Sequence, residues 1–144
     1  ALALLAWCGV RVVTDVPPLW RNIEQYEQRR AVCTRLEEIV RESRDSVWVS
    51  QGIAFAYRNG AEVIAPVLVL YDFREVHPEI FDRILARVEA EEFETILVPA
   101  QFMDATPADR FRAAFREHYR VAEVVGADAL MGTFTPVIVL RRAG

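Results

Sequence analysis

The chain has 144 residues, a net charge of −4, and 53% apolar against 26% charged side chains, a length and balance that suit one packed domain and exclude an extended disordered segment. With a pI of about 5.3 it offers no basic field for nucleic acid. All 17 cationic side chains are arginine, which reads as codon bias from a GC-rich genome rather than chemistry, although arginine favours forked pairing with carboxylates.

Residues 1–10, ALALLAWCGV, carry no charge and are too few to cross a bilayer, which needs about 20 residues. No basic region precedes them and no small-residue cleavage site follows, so a signal peptide does not fit. The expected division is residues 1–14 as the end of a transmembrane helix and residues 15–144 as a single soluble α/β domain. The alternative is a first strand or helix buried in that domain.

Asp15-Val16-Pro17-Pro18 starts a long helix, proline being suited to a first helical turn. Its apolar stripe from Leu19 to Glu42 is Leu19, Trp20, Ile23, Tyr26, Cys33, Leu36, Ile39 and Val40 at three- and four-residue spacing. On that stripe Cys33 reads as a small buried hydrophobe, with a disulfide to Cys8 open only in an oxidising compartment. Val47-Trp48-Val49-Ser50 predicts a short strand, then a turn at Gln51-Gly52 and a helix from Ile53 to Arg58 ended by Asn59-Gly60. Glu62 to Ala65 predicts a second strand stopped by Pro66, whereas Val67 to Tyr71 fits a strand or a buried loop.

His77-Pro78 opens a helix expected to reach Glu92, followed by a β-rich run at Thr95-Ile96-Leu97-Val98. Thr106 is a candidate cap for a further helix running to His118, with Pro107 in its first turn and Asp109 at its positive end. Strands at Tyr119 to Val125 and Pro136 to Arg141, with a ten-residue link, suit an antiparallel pair at one edge. The expected fold is α/β, a three-layer sheet with mostly parallel strands and this antiparallel C-terminal pair.

Few residues point to chemistry. The Gln51-Gly52 turn resembles the start of a dinucleotide-binding unit but has one glycine where the fingerprint needs three. His77 and His118 share no metal-ligand spacing with a cysteine or carboxylate pair. Asp72, Glu75 and Glu79 could act as acid and base, yet a helix start already accounts for acidic residues there. Ser43, Ser46 and Ser50 lack a glycine elbow or an adjacent base. Trp48, Tyr57 and Phe134 could stack on a sugar, although aromatics at this spacing more often form core. The expected catalytic, cofactor-binding and metal residues are therefore none.

The order of elements, VWVSQGIAFAYRNGAEVIAP, then Phe93-Glu94-Thr95-Ile96-Leu97-Val98, then Tyr119 to Val125 and Val137-Ile138-Val139-Leu140-Arg141-Arg142, resembles the soluble C-terminal domain of integral membrane glycosyltransferases of the dolichyl-phosphate-mannose mannosyltransferase type. The resemblance spans nearly the whole chain but rests on pattern. It implies a non-catalytic domain outside a bacterial inner membrane, in a parent that moves sugar from a polyprenyl-phosphate donor. The implied partners are the transmembrane part of the same protein and the acceptor or lipid-linked sugar, with no nucleic acid. That family's catalytic acid lies in a loop after its first membrane helix, so none is carried over. Ala65 to Asp72 departs from the expectation, being apolar for an exposed loop. A free-standing α/β binding or interaction module, or a truncated nucleotide-binding enzyme, is the alternative.

Overall fold

The computed structural model describes residues 26–43, 46–50, 53–104, 109–126 and 136–144. Helix α1 occupies residues 26–42. Then come β1 (Val47–Val49), α2 (Ile53–Arg58), α3 (Val67–Phe73), α4 (Pro78–Glu89), β2 (Thr95–Pro99), α5 (Ala100–Asp104), α6 (Arg110–His118), β3 (Tyr119–Val125) and β4 (Val137–Arg142). Residues 1–14, the helix start at Asp15-Val16-Pro17-Pro18, the stripe residues Leu19, Trp20 and Ile23, the Gln51-Gly52 turn, Thr106, Pro107 and Phe134 lie outside the described residues.

The four strands form one mixed sheet in the order β1-β2-β4-β3. β1 and β2 pair in parallel, Trp48 opposite Ile96, while β4 is antiparallel to both β2 and β3. The expectation of a mostly parallel sheet is therefore corrected: one pairing is parallel. The final strand slots between β2 and β3, which run the same way, and turns that junction into two antiparallel ladders. The antiparallel C-terminal pair itself forms as expected, interrupted by a register shift between Val121 and Glu123.

Strand alternation divides the core in two. Trp48, Ile96, Val98 and Leu140 join a cluster with Val67, Leu70, Leu85, Phe111 and Phe115 from α3, α4 and α6. Val47, Val49, Leu97 and Val139 point the other way, to Val32, Leu36, Ile39 and Val40 of α1 and Ala56 of α2. β2 is buried along its whole length, as a run of apolar residues covered on both faces should be. At the centre Trp48 is fully buried, its ring 5.7 Å from Phe93, 5.6 Å from Phe111 and 6.0 Å from Phe115. Its indole N–H donates to the Ala65 carbonyl at 3.3 Å.

Two further expectations change. Residues 61–66 are in no strand, so Glu62 to Ala65 is a connection, and Val67 to Tyr71 belongs to helix α3. The apolar run is helical because Val67 and Leu70, three apart, both reach the core, and the Val67 amide donates to the Ser50 hydroxyl at 3.2 Å. Along α1 the buried stripe is Val32, Leu36, Ile39 and Val40, whereas Cys33, one position out of phase, and Tyr26 are exposed. Cys33 is thus a free surface thiol rather than a buried hydrophobe.

Both α2 and α4 end in the same hydrogen-bond motif. After α2, Gly60 takes φ +73°, its amide donating to Tyr57 and that of Ala61 to Ala56. α4 stops at Glu89, three residues earlier than expected, and there Glu91 takes φ +53°. The Glu91 amide donates to Val88 and the Glu92 amide to Arg87, the same closure made without glycine. For α6 the cap is Asp109 itself, whose carboxylate accepts from the Phe111 and Arg112 amides.

Candidate functional site

The residues with side chains capable of chemistry are dispersed. His77 sits ahead of α4 with its Nδ1 3.2 Å from Glu79, both exposed. Glu79's carboxyl is held below the ordinary glutamate range, chiefly by its own backbone amide at the helix start. Asp72 and Glu75 are exposed nearby. The serines serve the fold: Ser43 shares a buried 2.9 Å hydrogen bond with Thr95, Ser46 donates to Glu94, and Ser50 accepts from Val67. Trp48 is core and Tyr57 is exposed, so these two do not make a sugar platform together.

One convergence of polar groups lies where β2 and β3 begin. His118 Nδ1 is 3.3 Å from Glu91, and the Arg142 guanidinium donates to the Glu91 carbonyl at 3.4 Å. Beside them Tyr119 is buried, and burial pushes its phenol up to about 12, with the Phe93 backbone opposing and Glu91 adding to the rise. Its hydroxyl closes no hydrogen bond despite the nearness of that backbone. A histidine–carboxylate pair can serve as a general base. Here, however, the neighbouring phenol is sealed from solvent, and the serines hydrogen-bond elsewhere. Among the described residues no group of three His, Cys, Asp or Glu side chains could hold a metal ion.

Arginine–carboxylate latches dominate the remaining electrostatics. Arg35 of α1 forks onto Glu123 of β3, and Glu42 of α1 pairs with Arg141 of β4 at 3.2 Å. Arg87 of α4 grips Glu62 at 2.9 and 2.8 Å, pairs with Glu92, and lies 4.6 Å over the Phe93 ring. Glu62 and Glu123 are held below the ordinary glutamate range, each chiefly by its arginine. A carboxylate locked in this way is a poor proton acceptor at neutral pH but a good tether. The arginine-only composition carries no information on these partners, because Arg35 and Glu123 are 88 positions apart.

A cavity of about 240 Å³ lies beside the Arg87 latch, lined by Ile64, Leu70, Ile80, Arg83 and Ile84 among others. Its polar groups are the already engaged Glu62 and Arg87, with Arg83. Against protein-family models, curated proteins and solved structures, the chain shows no match.

Proposed function

We propose that this chain is a non-catalytic, extracytoplasmic domain of a polytopic bacterial inner-membrane glycosyltransferase that uses a polyprenyl-phosphate-linked sugar, built as a three-layer α/β unit. The observation that carries the reading is the double tether of α1: Arg35 to Glu123 and Glu42 to Arg141 fix the helix to β3 and β4 at two heights. A helix held at two points couples whatever precedes Tyr26 to the sheet, as a domain appended to a membrane segment requires. The uncharged run 1–10 supplies such a segment. Its partner on this reading is the transmembrane part of the same protein, with the acceptor or lipid-linked sugar handled between them.

Sequencing the gene upstream of Ala1, together with a transfer assay on the parent and on this chain, tests the reading. Several membrane spans upstream, and sugar transfer by the parent alone, are expected. Transfer by the isolated chain would overturn the non-catalytic role. An upstream region without spans would favour the free-standing interaction module, for which exposed Val121 and Val124 on edge strand β3 speak.

A further inference from the structure

The two ends of the sheet differ in chemistry. The amino ends of β1, β2 and β3 meet the last residues of β4, and that end is closed by polar pairs: Glu42–Arg141, Ser46–Glu94 and Glu91–His118. The opposite, carboxyl end is where α3 and α4 begin. Val67 is pinned to Ser50, just past β1, and α4 runs from Pro78 to the His118 corner, so its start stands about 18 Å from that corner. In the first turn of α3 Leu68 is 47% exposed, and just ahead of α4 Phe73 is 49% and Val76 70% exposed. Phe73 lies against the exposed His77 ring, and Arg74 is exposed between Phe73 and Val76.

α1 reaches the same end. It leaves the amino end at Glu42 and passes mid-sheet at Arg35, and its Val32 belongs to the core cluster that holds Val125 and Val137. Residues 26–31 are all exposed, and a helix from 26 to 42 measures about 26 Å, whereas a five-residue strand covers only about 17 Å. Tyr26, where the described part of α1 begins, therefore lies at the end that carries Leu68, Phe73 and Val76.

We propose that this corner is a bilayer-contact surface: Leu68, Phe73 and Val76 enter the interfacial layer of a phospholipid leaflet, with Arg74 at the level of the phosphates. The inference rests on the membrane-bound reading above and adds which end of the domain faces the lipid. Asp72, Glu75 and Glu79 flank the apolar residues, so the fitting leaflet is zwitterionic, and attraction to anionic headgroups contributes little.

The test uses the full chain with Cys8→Ser and Cys33→Ser, and an environment-sensitive fluorophore on Val76→Cys or, at the opposite end, on Glu117→Cys. Flotation with phosphatidylcholine vesicles establishes binding first. The label at position 76 is expected to shift to the blue and to be quenched by lipid-borne quenchers, while the label at 117 keeps its aqueous emission. Chain that floats while both labels stay aqueous, or while 117 alone is quenched, overturns the proposed orientation and leaves membrane attachment standing. Chain that does not float overturns both. Val76 is exposed, so its replacement removes nothing from the core, and circular dichroism of the labelled chain verifies the fold.

Discussion

Arg35 reaches Glu123 by two parallel hydrogen bonds, Nε to Oε1 at 3.0 Å and Nη2 to Oε2 at 2.7 Å, tying the long first helix to the outermost strand. Forked geometry of this kind needs arginine, since lysine offers a single point of charge. Arg35 also donates to Glu38 at 3.2 Å, so one guanidinium serves its own helix and the sheet.

The first prediction concerns acid. Glu123 and Glu62 have folded pKa values below their ordinary range, so the stability they contribute is present above that range and is lost as pH falls through the folded values. Urea midpoints should hold steady near neutrality and drop as pH enters and passes below the glutamate range. Glu123→Gln should lower the neutral midpoint and flatten the acid limb. An unchanged acid limb in this variant would show that the latch contributes nothing in solution.

At Glu91 the backbone takes φ +53°, a conformation that glycine adopts without cost. Glu91→Gly should relieve about 1 kcal/mol of backbone strain, offset in part by loss of the His118 pair and by the greater freedom of glycine when unfolded. A small rise or no change in thermal midpoint is expected. Glu91→Val, β-branched and strained in this conformation, should lower it clearly, and the two variants compared by calorimetry separate backbone from side chain.

Tyr71 holds its hydroxyl buried without a hydrogen-bond partner, its ring edge-on to Phe81 at 5.3 Å. Tyr71→Phe keeps that packing and removes a desolvated polar group, so stability should stay level or rise by about 1 kcal/mol. A loss of similar size in denaturant titration would mean the hydroxyl is satisfied in solution.

Trp48 joins β1 to three phenylalanines and to the Ala65 carbonyl within its core cluster. Trp48→Ala should cost about 3–5 kcal/mol, enough to unfold a marginal domain. Trp48→Phe should cost less, through an unfilled volume and an unpaired carbonyl. Circular dichroism and urea unfolding read both.

The helix end at Gly60 and the one at Glu91 show what sequence could and could not determine. Both close by the same pair of backbone hydrogen bonds. Asn59-Gly60 announced the first, because glycine is the local preference for a left-handed residue; a glutamate carries no such signal, so α4 was expected to run on to Glu92. Local chemistry likewise determined Leu36, Ile39 and Val40 of the α1 stripe, though not its phase at Cys33 and Tyr26, as well as the strand at Thr95 and the antiparallel pair at the C-terminus, since periodicity and turn length are properties of neighbours in the chain. Asp109, expected inside a first turn, became the cap. Tertiary structure alone decided that Val67 to Phe73 is a helix, that β4 enters between β2 and β3, and that Arg35 finds Glu123. Each depends on what stands opposite in space: a core that accepts Val67 and Leu70 together, an open ladder on β2, and a carboxylate 88 positions away. A single chain's local pattern holds no record of such neighbours, because burial and pairing are settled only when distant segments compete for the same surface.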